Sequence, residues 1–459
     1  MYQIHFDQPI HVHFIGIGGI SMSGLAEILL SEGFRVSGSD NNRSPLTEML
    51  AEKGAVIQYG QRRDNITDDI DLVVYTSAIH PDNPEFLAVR EKGLPSLTRA
   101  QLLGQMMRQY KTAIAVSGTH GKTTTTSMIS DILLQADTDP TLSIGGILKS
   151  IGGNYRVGGS DYFVTEACEY TNSFLSFYPT TGIILNVQED HLDFFKDLAD
   201  IRRSFHAFAK LLPQNGMLLI NGEIENYSEL TDGVSCPVIT FGMGEGFDYY
   251  PSDISYDDKG NPSFICHGPE NFTLSVTLGM PGNHNIANAL PAIAVAHKLG
   301  IQDEIIRRAL KNFEGADRRF DYKGEIGGVT VIDDYAHHPA EIRATLSAAA
   351  HYPHKKLWCV FQPHTYSRTK SFLKDFAREL SAADHVVLAD IFAARETDTL
   401  GISSLDLQRE IEALDRSCSY FPTFDEIENF LLENCTAGDL LITMGAGDVH
   451  KIGENLLGI

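Results

Sequence analysis

The feature that most restricts the fold is one alternation, repeated along the chain. A short apolar run is followed by a turn and then by a helix-length amphipathic stretch. "HVHFIGI" precedes "SMSGLAEILLSEG", "RVSGSD" precedes "SPLTEMLAEKG", and "DLVVYTSA" precedes "NPEFLAVREKG". Strands separated by helices of about 10–15 residues form βαβ units, hence a parallel sheet with helices on its faces. After the helix-like "RAQLLGQMMRQYK" a second series starts at "TAIAVSG" and runs through "DYFVTEA", "TGIILNV" and "GMLLING". A third comprises "VTVIDDYA", "KLWCVFQ", "HVVLADI" and "DLLITMG", with the glycine pair of "EIGGVTVID" predicting a tight hairpin at its start. Between Asp248 and Gly282 shorter alternating runs, with turns at "DKGNP" and "GPEN", predict an antiparallel insertion. Pro291 should kink or restart the helix of "NIANALPAIAVAHKLG".

At 459 residues the chain has room for about three domains of roughly 150 residues. The predicted fold is therefore α/β with three domains, at 1–110, 111–320 and 321–459. A formal charge of −24, from 36 basic and 60 acidic residues, argues against a nucleic-acid surface, which needs clustered Lys and Arg. Six cysteines at 168, 236, 266, 359, 418 and 435 form no CxxC pair, which argues against structural zinc or a disulfide scaffold. "MYQIHFDQPI" lacks the basic start and apolar run of a secretion signal. No stretch approaches the ~18 apolar residues of a membrane span. A cytoplasmic protein with reduced thiols and no membrane insertion is expected.

Two of the strand-to-helix turns are rich in glycine. "VSGTHGKTTTTSM" lacks the outermost glycine of the strict phosphate-loop pattern, Val116 standing there, but keeps Gly118, Gly121, Lys122 and Thr123. Glycine lets backbone N–H groups approach phosphate oxygens, and the helix start adds partial positive charge. Lys122 would reach the outer phosphates and the Thr123 hydroxyl would ligate Mg2+. ATP is the natural nucleotide there. The earlier "HFIGIGGISMSG" has Gly16 and Gly18, but Ser21 where a dinucleotide fingerprint has its third glycine, and Asp40 ends the next strand. From these residues a nicotinamide site, a nucleotide-diphosphate site and a ligand-free turn are all open.

"FVTEACEY" and "LNVQEDHLD" end predicted strands with Glu166 and Glu169, and with Asp190, His191 and Asp193. Ligands collect beyond the carboxyl ends of parallel strands, so Glu166 and His191 are plausible Mg2+ partners. Cys168, between two glutamates, should have a suppressed thiolate and no nucleophilic role. In "DDYAHHPAEI" Asp334, Tyr335, His337 and His338 lead into a helix. The adjacent histidines point in different directions, which disfavours a metal site. "FQPHTYSRTK" offers His364, Arg368 and Lys370. Arg368 could fork onto a carboxylate or be a solvated cation.

The order of these motifs resembles the Mur ligases of peptidoglycan synthesis along nearly the whole chain. The stretches that carry the likeness are "HFIGIGGISMSGLAEILL", "VSGSD", "TSAIHPDNPE", "SGTHGKTTTTSM", "NVQEDHLD", "GNHNIANA", "RRFDYKGE", "DDYAHHPAEI", "FQPHTYSRT" and "GAGD". The resemblance implies a Rossmann-like N-terminal domain holding a UDP-sugar, a central P-loop domain holding ATP, and a Rossmann-like C-terminal domain for the amino acid. It places Gly16, Gly18, Gly19, Asp40 and Ser77 around UDP. Gly118, Thr119, His120, Gly121, Lys122, Thr123 and Thr124 would surround the ATP phosphates. Asn285 would meet adenine, Asp334 the ribose and Arg319 the γ-phosphate. Thr123, Glu166 and His191 would hold Mg2+ or Mn2+, and Tyr335, His337 and Arg368 the amino acid. Lys122, His191, Arg319 and His337 would be the catalytic set.

The implied reaction activates the lactyl carboxylate of UDP-N-acetylmuramate as an acyl phosphate and joins it to L-alanine, by a monomer or homodimer. The family branch that joins a whole tripeptide is the alternative, and a nicotinamide-dependent dehydrogenase would leave the P-loop idle. Many relatives read Glu-Ala-Asp-Glu where this chain has Cys168 in third place. Some carry Arg at the position of Thr365, and others a carbamoylated lysine where His206 stands, so that modification is not expected.

Overall fold

The computed structural model describes residues 2–76, 79–394, 396–398 and 400–459. By its internal contacts the chain falls into two compact units, one of residues up to 126 with 133–187 and 199–239, the other of 127–132, 188–198 and 240–459.

The first unit opens with five strands, β1 (His11–Ile15), β2 (Arg35–Asp40), β3 (Val56–Tyr59), β4 (Leu72–Tyr75) and β5 (Ser96–Thr98). They form a wholly parallel sheet in the order β3-β2-β1-β4-β5. The sequence reading expected β1, β2 and β4 but not β3 or β5. Both are short edge strands without a continuous buried face, so their apolar pattern is weak. Register aligns Ile15 with Ser39 and Tyr75, and Tyr75 with Thr98. The residues just beyond, Gly16, Asp40, Thr76 and Arg99, thus share one edge. Of the expected UDP residues, Ser77 lies outside the described residues.

The second sheet comprises β6 (Thr112–Ser117), β7 (Thr141–Leu148), β8 (Gly153–Arg156), β9 (Tyr162–Glu166), β10 (Thr181–Ile184), β11 (Met217–Asn221) and β12 (Val238–Phe241). Its order is β12-β11-β10-β6-β9-β7-β8, with β8 antiparallel to β7. β6 lies in the middle and is apolar and fully buried over Ala113–Val116, as a strand covered on both faces must be.

Within this unit the helix Arg99–Met107 is joined tightly to the segment after β9. A Cβ on Gly104 would come within 1.9 Å of the Ser176 carbonyl oxygen, so only glycine fits there. One turn on, the Arg108 guanidinium lies 3.6 Å from the centroid of Tyr178. On the other side Gly24 of the helix Ile20–Ser31 faces the Tyr155 ring, 2.2 Å from where a Cβ would stand.

The second unit holds the predicted antiparallel insertion as β13 (Tyr250–Tyr256), β14 (Pro262–Gly268) and β15 (Phe272–Thr277). The helix Asn283–Lys298 then runs through Pro291 without ending or restarting, so of the expected kink or restart the restart does not occur. Its neighbours Ile286, Ala289, Leu290, Ala292 and Ile293 are all fully buried, and that packing overrides the local cost of proline.

The last sheet contains β16 (Asp321–Ile326), β17 (Val329–Asp334), β18 (Leu357–Phe361), β19 (His385–Leu388), β20 (Ser417–Tyr420) and β21 (Leu440–Met444). Its order is β16-β17-β21-β18-β19-β20. β16 and β17 form the hairpin expected from Gly327–Gly328, and the other pairs are parallel. Cores on both faces of this sheet carry its carboxyl edge, where Asp334, Phe361 and Met444 are in register.

Candidate active site

At the first glycine loop, Gly16 has a φ of 83°, a conformation that favours glycine. Gly16 and Ile17 donate their N–H groups to the Ser39 carbonyl. Gly19 caps the helix Ile20–Ser31, whose start has no side-chain cap. The Gly18 N–H donates to Asp40 Oδ2 at 2.9 Å, and a Cβ on Gly18 would stand 2.8 Å from both that oxygen and Thr47 Cγ2. Glycine at 18 is therefore required by the approach of Asp40 and Thr47, a reason the motif by itself does not disclose.

Beneath this loop lies a buried polar layer. His11 Nε2 and His13 Nδ1 are 2.8 and 2.9 Å from Ser37 Oγ. Ser39 Oγ donates to Glu85 Oε2 at 2.6 Å, and Asn65 donates to the same carboxylate. Burial, then the charge of His11, lowers the His13 pKa to about 4. Burial also raises that of Glu85.

The second loop ends β6. Gly118 has a φ of 144°, and a Cβ there would stand 2.9 Å from Leu185 Cβ. Asn186 clamps the loop, accepting from His120 N at 2.8 Å through Oδ1 and from Thr119 N at 3.2 Å through its carbonyl, and donating from Nδ2 to His120 O. Sequence reasoning missed Asn186, although it stands immediately before "VQED" at the end of the neighbouring strand. Lys122 opens the helix Lys122–Gln135, with Thr123 and Thr124 buried in its first turn.

Lys122 Nζ donates to the Gly118 and Thr119 carbonyls and to Glu169, 3.0 Å from Oε2. Burial by itself would lower the Lys122 pKa, but the Glu169 carboxylate outweighs it and holds the ammonium above its ordinary value. Burial, reinforced by Glu169, pushes the Cys168 thiol up to about 11. The thiol is thus neutral near pH 7, in keeping with its expected lack of a nucleophilic role. Glu166 accepts from Gly145 N at 2.6 Å.

In the second unit a cluster forms around Asp190. Arg368 Nη2 donates to Asp190 Oδ1 at 2.9 Å, and its Nη1 lies 2.8 Å from His364 Nδ1. Burial would raise the Asp190 pKa, but Arg368 and then His191 and His337 drive it well below the ordinary carboxylate value. Arg368 is therefore an ion-paired group, and the solvated-cation alternative is corrected. His191 has a φ of 52° and donates its N–H to Asp190 Oδ1. His337 packs edge-on to Tyr335 at 5.5 Å, with Nδ1 3.0 Å from the Tyr335 carbonyl. Burial lowers its pKa, against the opposing pull of Glu341.

The two arginines of "RRFDYKGE" divide their work. Arg318 is tied to Asp333 and to the Gly445 and Gly447 carbonyls, so it secures the loop after β21. Arg319 lies 5.3 Å from the Tyr335 ring centroid and 3.8 Å from Glu341. Asp334 accepts from Phe320 N and Ala336 N, each at 2.8 Å. Burial, opposed by the charge of Arg319, raises its pKa to about 6. Asn285 is buried and donates to the Pro281 carbonyl. The structure thus gathers Tyr335, His337 and Arg368 in one cluster.

Among the described residues no group of three or more His, Cys, Asp or Glu side chains is arranged to hold a metal. The Thr123 hydroxyl and the Glu166 carboxylate are hard oxygen donors of the kind that Mg2+ takes together with nucleotide phosphates.

An α/β protein with a lysine-bearing glycine loop on one sheet and a carboxylate–arginine cluster beside another fits a nucleotide-dependent ligase fold. Residues 11–111 match the Mur ligase family catalytic domain, 116–296 the Mur ligase middle domain and 318–447 the Mur ligase glutamate ligase domain. The chain belongs to the Mur ligase family. It is 62% identical over 460 residues to the UDP-N-acetylmuramate–L-alanine ligase of Lachnospira eligens, covering 100% of both chains. The ligase of the same name from Agathobacter rectalis is 60% identical, again over 100% of both. Among solved structures, the UDP-N-acetylmuramate–alanine ligase of Thermotoga maritima superposes with a TM-score of 0.81 at 29% identity, covering 98% of each chain. A murein peptide ligase from Psychrobacter arcticus gives 0.71 at 27% identity, also over 98% of each.

Proposed function

We propose that the protein is an ADP-forming ligase that joins L-alanine to the lactyl carboxylate of UDP-N-acetylmuramate, the first amino-acid addition in peptidoglycan precursor synthesis. Full-length likeness to ligases of that specificity is the observation that carries the reading. Its domains are 1–110 for the UDP-sugar, 111–320 for ATP and 321–459 for the amino acid.

The lactyl carboxylate oxygen attacks the γ-phosphorus in line, a P–O bond forms, and ADP leaves with the electrons of the broken bond. Lys122, kept protonated by Glu169, meets the charge on the transferring phosphoryl group, with Arg319 as the second cation. Thr123, Glu166 and His191 would hold Mg2+, which neutralises phosphate charge when bound. The amine of L-alanine then attacks the acyl carbon. Phosphate leaves and the nitrogen gives up its proton, with stabilisation of the oxyanion by a positioned cation. Tyr335, His337 and Arg368 orient the amino acid. Gly16, Gly18, Gly19, Asp40 and Ser77 serve the UDP group, and Asn285 and Asp334 serve the nucleoside of ATP. No helix among the described residues is long and apolar enough to cross a membrane, and we place the reaction in the cytoplasm.

Phosphate release from ATP and Mg2+ tests this, with UDP-N-acetylmuramate and L-alanine, glycine, L-serine or the tripeptide added singly. Release that requires both the UDP-sugar and L-alanine is expected. Release with the tripeptide alone would move the chain to the peptide-ligase branch, and silence with every acceptor would overturn the reading.

A further inference from the structure

Arg99 has no place in the assignments above. It is the first residue of the helix Arg99–Met107, directly after β5, whose last residue Thr98 is in register with Tyr75 of β4. Its position is therefore on the sheet edge that carries Gly16 and Asp40. The helix is anchored at Thr98, which accepts from Gln101 N in a reciprocal cap, and at Gly104 against Ser176. The helix is thus fixed against the segment that follows β9. The residue is partly buried, yet its guanidinium makes no hydrogen bond or ion pair with any described residue.

A guanidinium removed from water without a partner is costly, and proteins rarely keep one without a ligand to satisfy it. Burial lowers the Arg99 pKa, and the one side chain that offsets this by charge is Cys168. Lys122, coupled to the same thiol, differs because Glu169 already neutralises it. Arg99 and Lys122 thus both lie within electrostatic reach of Cys168, the lysine paired with Glu169 and the arginine fork without a hydrogen-bond partner among the described residues.

We propose that Arg99 binds the lactyl carboxylate of the UDP-sugar and steers it toward the phosphoryl group held at Lys122. The assignment rests on the ligase reading above. A planar fork suits a carboxylate, and a cation placed there offsets the repulsion between that carboxylate and the triphosphate. The diphosphate of UDP is the other oxyanion within the same substrate, and the test separates the two.

Calorimetric titration of the full-length protein with UDP-N-acetylmuramate, its lactyl carboxamide and UDP, all without ATP, supplies the comparison. The wild type should bind the acid at least about tenfold more tightly than the carboxamide, the scale of one charge-assisted pair. Arg99→Met should make the two equal while leaving the carboxamide, UDP and ATP affinities unchanged. Arg99→Lys should keep part of the preference. If Arg99→Met weakens acid, carboxamide and UDP by one factor, the residue serves the diphosphate and the assignment falls. A preference that survives in Arg99→Met, or is missing from the wild type, also overturns it. A wild type that binds no UDP-sugar would instead remove the ligase reading itself. Unchanged ATP affinity and melting temperature in both variants exclude loss of folding as the cause.

Discussion

The two glycine loops are built alike and faced by opposite charges. Each closes a buried parallel strand and opens a helix. At the first, the carboxylate of Asp40 takes the Gly18 N–H. At the second, the ammonium of Lys122 stands against Glu169. Their foundations differ too. β6 is apolar through Ala113–Val116, whereas β1 carries His11 and His13 on a layer with Ser37, and Glu85 bonds Ser39 alongside. Strand–glycine–helix geometry therefore does not choose a ligand. The side chains opposite it do.

The strongest way to break this comparison is to remove the cation. Lys122→Ala should cut phosphate release by roughly 10³-fold, the scale of losing one transition-state donor, while UDP-sugar binding by titration stays within a factor of two or so. Turnover near the wild-type rate would show that the loops do not divide the nucleotides. A matched pair of substitutions sharpens the point. Gly118→Ala pushes a methyl toward Leu185 and should lower kcat/KM for ATP by about 100-fold, as a misplaced loop does. Gly18→Ala displaces Asp40 and should raise KM for the UDP-sugar about tenfold with kcat little changed. Equal effects on both substrates from either variant would undo the separation.

Gly104→Val acts on the join between its helix and the segment after β9. Its branched side chain must displace the Ser176 backbone, and overpacking of this kind costs about 1–3 kcal/mol, read as a lower midpoint in urea. A midpoint equal to that of the wild type would mean that the contact bears no load.

Acid tests the polar layer beneath the first loop. His13 has its pKa lowered in the folded protein to about 4 from 6.5, so between those values the unfolded chain binds more protons. Stability is full above pH 6.5 and falls as pH drops toward 4, by up to about 1.4 kcal/mol per unit for one group. His13→Leu should flatten that slope in urea melts. An unchanged slope would clear His13 of the effect.

Much of this was legible in the sequence because it is local. An apolar run, a glycine turn and a helix start all lie within a dozen or so residues, so β1, β6 and the hairpin at Gly327–Gly328 could be read directly. Pro291 misled as to a restart because burial of the surrounding helix, a tertiary effect, decides whether a proline breaks it. β3 and β5 were missed because an edge strand needs few apolar residues. The partners of the site were hidden by separation. Arg368 finds Asp190 across 178 positions and His120 finds Asn186 across 66, and no periodicity reports pairings that only the fold creates. Glu169 was in view as a strand-end acid, but its grip on Lys122 depends on β9 lying beside β6.

Gly104 bears on how this chain tolerates sequence drift. Where two layers meet through side chains, substitutions on either side reset the spacing by an ångström or so as large groups replace small ones. At Gly104 backbone meets backbone, so at that point there is nothing to resize. Mutations elsewhere on the helix can recolour its surface without changing its spacing from the segment after β9 at Gly104. The contact behaves as a fixed gauge block, with one residue type able to serve as it.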